Sequence, residues 1–114
     1  MVLVIDDDAD ILETVADVLL GAEYRVATAR NGSDAFELLG RMEQLPDLIL
    51  LDLMMPVMDG WETIEVFQED TRLAEIPVVV LTAHGHARVP EAEAMLKKPF
   101  SLDSLLDVVR EHCS

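Results

Sequence analysis

A single α/β domain built on a parallel sheet is what this sequence predicts, on three observations. Strand-length apolar runs alternate with segments of helical period, one run is apolar throughout its middle, and polar residues recur where the runs end. The 114 residues are enough for one core and too few for two, so 1–114 is read as one domain.

Residues 2–6 read as the first strand. A helix follows over 9–20, where Ile11, Leu12, Val15, Val18 and Leu19 form one stripe and Gly21 can stop it. The second strand is 24–28. Asn31-Gly32 then supply a turn into a helix from Asp34 to Met42, with Phe36, Leu38 and Leu39 inward. Pro46 marks the next boundary, and "DLILLDL", 47–53, has the continuous apolar centre of a strand covered on both faces. A loop through Pro56 and Asp59-Gly60 leads to a helix over 61–70, and Pro77 opens the strand "VVVLT", 78–82. Gly85 and Pro90 leave too little room for a full helix before a strand at 94–97. Last, Leu102, Leu105, Leu106 and Val109 make the stripe of a helix capped by Ser101.

Composition narrows the function. With 8 basic against 23 acidic residues the net charge is -15, which repels nucleic acid and anionic lipid, so no direct nucleic-acid or membrane partner is expected. No apolar stretch approaches the roughly 20 residues that span a bilayer, and the start lacks a signal-type segment. A lone Cys113 can close no internal disulfide, which fits a reducing compartment. A cytoplasmic protein is expected.

The chemistry gathers at the strand ends. In a doubly wound sheet, side chains at the carboxyl ends of neighbouring strands converge on the ligand crevice. Asp6 and Asp7 end the first strand, Asp52 the third, Thr82 the fourth and Lys98 the fifth. Clustered carboxylates repel one another and raise their own pKa values unless a hard cation neutralises them, and oxygen ligands suit Mg²⁺ or Mn²⁺. Beside such a cation a carboxylate on a rigid central strand can act as nucleophile towards a phosphoryl group. A lysine then provides a point charge for the phosphoryl oxygens and a hydroxyl one hydrogen bond. Asp52, Lys98 and Thr82 fit those three roles.

These residues resemble the receiver domain of two-component response regulators. The resemblance rests on "VIDDDAD", "LLDLMMPVMDGWE" around Asp52, "VVVLTA" ending in Thr82-Ala83, and "KPF" at 98–100, and it covers essentially the whole chain. It implies a flavodoxin-like, doubly wound (βα)5 sandwich with a five-stranded parallel sheet of order 2-1-3-4-5. Thr82 and Lys98 stand only 16 positions apart, fewer than the family usually has, so the fourth helix is expected to be shortened or replaced by a loop. By position, the resemblance implies that Asp52 accepts phosphate from a histidine kinase or phosphotransfer protein. It implies that Asp6, Asp7, Asp52 and the backbone carbonyl of Met54 serve Mg²⁺, with Asp7 the more direct of the acidic pair. It further implies that Thr82 and Lys98 contact the phosphoryl group, that Lys98-Pro99 is cis, and that a downstream protein target or an output domain outside this sequence receives the signal. Met95 stands where many receivers carry a switch Tyr or Phe, which departs from the familiar threonine-to-aromatic coupling, and the missing length before Lys98 leads to the expectation that the switch is a rearrangement of the 83–92 loop and whatever binds it.

Other readings compete. Lys97 rivals Lys98, although their side chains should point to opposite faces. His84 and His86 are read as loop residues, because the nearby acids suit a hard cation. Asp8 is read as a helix N-cap and Asp10 as a first-turn acid. "VIDDDAD" also looks like the opening of haloacid-dehalogenase-type phosphatases, with Asp6 as nucleophile, but that leaves 52–60 unexplained. A degenerate receiver, acting as an interaction module without phosphotransfer, is the third reading.

Overall fold

The structure is a computed structural model and describes residues 1–55, 58–83 and 88–113. Among the described residues five strands and four helices follow in the order β1 (Val2–Ile5), α1 (Ala9–Gly21), β2 (Val26–Ala29), α2 (Gly32–Arg41), β3 (Leu48–Asp52), α3 (Gly60–Glu69), β4 (Val78–Thr82), β5 (Ala94–Lys97) and α4 (Leu102–His112). All strand pairs are parallel and the sheet order is β2-β1-β3-β4-β5. Among the described residues no helix lies between β4 and β5, in keeping with the short interval between Thr82 and Lys98. His84 and His86 fall outside the described residues.

Strand alternation sorts the apolar residues into two cores. Leu3, Ile5, Ile49, Leu51, Val78 and Val80 face α2 and α3, meeting Ala35, Leu39, Ile64 and Phe67. Val2, Val4, Leu48, Leu50, Val79 and Leu81 face α1 and α4, meeting Leu12, Val15, Leu19, Leu105 and Val109. β1, β3 and β4 are therefore buried on both faces, which is why their sequences read as unbroken apolar runs. Val89 joins the first core and covers part of the face that a fourth helix would otherwise close. Among the described residues no helix is long and apolar enough to cross a membrane.

Several local expectations change. Phe36 is 42% exposed and Leu102 49% exposed, whereas the helical period places both inward. α2 buries Leu39 as expected and packs Leu38 partly against the core, while Ala35 takes the buried place expected for Phe36. β2 starts at Val26, two residues late, because Glu23 and Tyr24 are used to end α1. Gly21 does not stop that helix. It is the last helical residue, and the left-handed position falls on Glu23, with φ 71°. The Glu23 N–H donates to the Leu20 carbonyl (3.0 Å) and the Tyr24 N–H to the Leu19 carbonyl (3.0 Å), a Schellman closure in which glycine is the usual occupant. Glu23→Gly is accordingly expected to stabilise the fold by about 0.5–1 kcal/mol by relieving that backbone. A thermal melt with an unchanged or lower midpoint would show that the left-handed residue costs nothing here.

Candidate functional site

Register brings the polar strand ends together. Ile5 pairs with Leu51, so Asp6 leaves β1 beside Asp52 at the end of β3, and Asp52 in turn pairs with Leu81, one residue before Thr82. Lys98 arrives from β5, whose Lys97 is level with Thr82. The Lys98 N–H donates to the Thr82 carbonyl at 2.7 Å, and the Lys98-Pro99 peptide is cis. At the other edge of the site Asp8 caps α1, its carboxylate accepting from the N–H groups of Asp10 (2.9 Å) and Ile11 (3.3 Å). The Asp8 N–H itself donates to Asp6 Oδ1 at 3.0 Å, so the helix start also fixes the Asp6 side chain.

Asp6, Asp52 and Thr82 are buried, while Asp7 is exposed at the mouth. One carboxylate oxygen from each of Asp6, Asp7 and Asp52 lies within 4.8 Å of the others. Lys98 Nζ bridges two of them, donating to Asp6 Oδ2 at 2.8 Å and to Asp52 Oδ1 at 3.2 Å. Burial pushes the Asp52 carboxyl up to about 6, helped by the charge of Asp6. The Lys98 charge and hydrogen bond and a hydrogen bond from the Met54 backbone act in the opposite direction. Burial disfavours the Lys98 cation, but the hydrogen bond and charge of Asp6, followed by those of Asp52, outweigh it and hold Lys98 above its ordinary value. A single cation thus leaves the acidic cluster undercompensated. That residual strain, together with an all-oxygen donor set, is what a hard divalent ion relieves, and the residues fit one.

Each sequence-predicted residue takes its place around this point except where only its backbone is concerned: the Met54 side chain is 55% exposed and its main chain alone reaches Asp52. Lys97 is exposed and Lys98 is turned inward, as strand alternation requires. Sequence reasoning missed three supports. Asp59 caps α3 by accepting from the Glu62 N–H at 2.9 Å, signalled only by its position three residues before an acid. Buried Thr63 donates its hydroxyl to the Asp59 carbonyl at 2.7 Å. The Trp61 indole Nε1 donates to the Arg88 carbonyl at 3.2 Å, a link across 27 residues that leaves no local trace in sequence.

The family model described as "Response regulator receiver domain" matches residues 2–110. Among curated proteins, the chain is 34% identical to response regulator Rre1 of Synechocystis sp., over 95% of this chain and 49% of that protein. It is 37% identical to the DNA-binding dual master transcriptional regulator RpaA of the same organism, over 96% and 47% respectively. The chain thus spans about half the length of these relatives. Among solved structures, the chemotaxis protein CheY4 of Vibrio cholerae superposes with a TM-score of 0.85 at 29% identity, covering 97% of this chain and 96% of that one. TrrA of Thermotoga maritima, solved with Mg(2+)-BeF, gives 0.84 at 28% identity, covering 96% of each chain. Neither the phosphatase nor the degenerate-receiver reading is favoured by these matches. With the sheet order, the strand-end carboxylates and the match over 2–110 in agreement, the chain belongs to the response regulator receiver family and is a signalling domain of two-component phosphorelay systems.

Proposed function

We propose that residues 1–114 form one receiver unit in which Asp52 accepts a phosphoryl group from a histidine kinase or phosphotransfer protein. The observation that carries this reading is the convergence of Asp6, Asp7 and Asp52 within 4.8 Å, with Lys98 bridging the two buried members. Asp52 is the nucleophile because it sits at the end of the central strand, held on one side by Lys98 and on the other by the Met54 backbone. With its pKa near 6 it is ionised at neutral pH, as attack on phosphorus requires. The Asp52 carboxylate forms the new P–O bond as the donor's P–N bond breaks, and the histidine leaves as neutral imidazole once it takes up a proton. Lys98, freed in part from Asp52, turns its charge to the phosphoryl oxygens, and the Thr82 hydroxyl supplies one hydrogen bond.

Asp6, Asp7, Asp52 and the Met54 carbonyl are the groups to hold a divalent ion, Mg²⁺ or Mn²⁺, which when bound supplies charge neutralisation and a template for in-line transfer. The same residues support slow self-dephosphorylation and labelling by small phosphodonors; the unit is otherwise no enzyme. Output passes to a downstream protein or to an output domain beyond this sequence, through a population shift involving the β4–β5 segment. The decisive measurement is intact-mass spectrometry after acetyl phosphate with Mg²⁺. A single phosphoryl adduct is expected, and its absence, or its mapping to Asp6, would overturn the assignment.

The phosphodonor has a surface ready beside the site. An apolar hollow of about 420 Å³ is lined by Ile11, Thr14, Ala83, Lys98, Pro99 and Phe100 with Asp10 and Leu102, and it accounts for the exposure of Leu102. Ile11→Ala with Phe100→Ala is expected to slow transfer from a phosphohistidine protein at least about tenfold, since buried apolar anchors carry most interface energy. Labelling by acetyl phosphate should be unchanged, and an equal loss with both donors would place the defect in the site itself.

A further inference from the structure

The short β4–β5 connection leaves a notch on the α3 side of the molecule. It holds about 200 Å³ and is lined by Trp61, Ile64 and Glu65 of α3 and by Val89, Pro90 and Glu91 of the segment that precedes β5. Its floor is apolar and closed: Ile64 and Val89 belong to the core. Its wall is an indole that remains 40% exposed although its Nε1 is already committed to the Arg88 carbonyl. The volume suits one large side chain and is below the roughly 300 Å³ at which small-molecule sites begin. Its polar edge is acidic, with Glu65 and Glu91 in the lining and Glu93 two residues on; among the described residues the lining holds no basic side chain. The whole chain, at -15, points the same way.

We propose that this notch is a docking site for a basic protein segment that carries one large apolar side chain. The side chain enters between Trp61 and Val89, and Lys or Arg groups on the segment meet Glu65 and Glu91. Carboxylates at the edge reject nucleic acid and anionic lipid, and they make a second copy of this acidic chain a poor occupant. The surface lies on the α3 side, away from the hollow at α1 and Phe100, so a partner can be held there while a phosphodonor has access to Asp52. The inference does not depend on which residue is phosphorylated.

Trp61 is the only tryptophan, so its emission reports occupancy directly. The probe is a short Lys/Arg-rich peptide with a single leucine, titrated into the intact protein at physiological salt, alongside the same peptide with serine in place of the leucine. A saturable blue shift is expected with the leucine peptide, and about tenfold weaker binding for the serine peptide and for the Glu65→Lys, Glu91→Lys double variant, in which two exposed charges are reversed. Trp61→Phe, read by calorimetry, should retain most of the affinity, because the ring stays and only the hydrogen bond to Arg88 is lost. No saturable shift, equal binding of the two peptides, an unchanged affinity in the double variant, or a shift that grows with protein concentration alone would each overturn the proposal.

Discussion

Asp52→Asn is expected to take no phosphoryl label from acetyl phosphate and, in magnesium-free buffer at neutral pH, to melt at a higher temperature than the wild type. The two effects share one cause. Asp52 is buried beside Asp6, and the folded protein holds its carboxyl near 6 rather than at the ordinary 3.8. Ionising it in the fold therefore costs of order 2–3 kcal/mol. Asparagine keeps the shape and removes the charge, while Lys98 retains Asp6 at 2.8 Å as its partner. The raised value already includes the Lys98 attraction, so the remaining loss is the poorer fit of an amide to the Lys98 and Met54 donors, which leaves a net stabilisation of about 1–2 kcal/mol, or several degrees for a domain of this size. Saturating Mg²⁺ should narrow or reverse the difference, since the ion stabilises only a site that binds it. A variant that keeps the wild-type label, or that melts lower than wild type without metal, contradicts the role assigned to Asp52.

The pH window follows from the direction of the shift. The folded carboxyl is raised, so between about pH 4 and 6 the folded state binds more protons than the unfolded one, and the wild type loses stability as pH rises through that range. Below about pH 4 both states are protonated and the advantage of the asparagine variant should vanish; above about pH 6 it should be constant. Lys98 acts in another range. Raised by its two carboxylate partners, it contributes stability that is complete below its ordinary pKa and is lost only as pH rises through the higher folded value, far from the Asp52 window. A difference between wild type and Asp52→Asn that persists unchanged at pH 3 would mean that the asparagine acts through packing rather than charge.

Period and strand-end chemistry were enough to place the strands, all four helix starts within two residues, and the strand-end side chains that converge. Those features are written in local sequence: an apolar strand followed at once by Asp6 or Asp52 can only deliver that carboxylate to the sheet's edge. What remained illegible is decided by packing between segments distant in sequence. Phe36 and Leu102 satisfy the helical period yet stay partly exposed at the rims of open hollows, Phe36 beside Asp70 and Leu73 and Leu102 beside Ile11 of α1. The end of α1 looked like the work of Gly21, but hydrogen bonds to Leu19 and Leu20 put the turn at Glu23. Nor could local pattern reveal that Trp61 closes over Arg88, because that contact exists only where the β4–β5 connection is short enough to lie against α3.

Gly60→Ala is expected to cost stability and to slow phosphorylation of Asp52 as well. A Cβ on Gly60 would lie 2.6 Å from Leu53 Cα, 2.8 Å from Leu53 Cδ2 and 2.9 Å from the Asp52 carbonyl oxygen. Two of those three neighbours are backbone at the end of β3, so no rotamer change can relieve the clash. The Gly60 N–H also donates to the Leu53 carbonyl at 2.8 Å, which locks the start of α3 against the residue that follows Asp52. Alanine must lift α3 or push back β3, at about 2–3 kcal/mol, and either movement displaces the nucleophile, where about 1 Å can cost a hundredfold in rate. Gly32→Ala is also unfavourable, because its Cβ would meet Thr63 Oγ1, a buried hydroxyl already committed to the Asp59 carbonyl, as well as the Met58 side chain; these are side chains, and the end of β3 is not pushed directly. Gly40→Ala provides the control: nothing lies within 4 Å, so in the last turn of α2 it should stabilise by at most about 0.5–1 kcal/mol. Melting curves and acetyl phosphate labelling rates of the three variants test the order. Should Gly60→Ala match Gly40→Ala in both, the end of β3 is free to yield, and the placement of Asp52 does not depend on the close approach of α3.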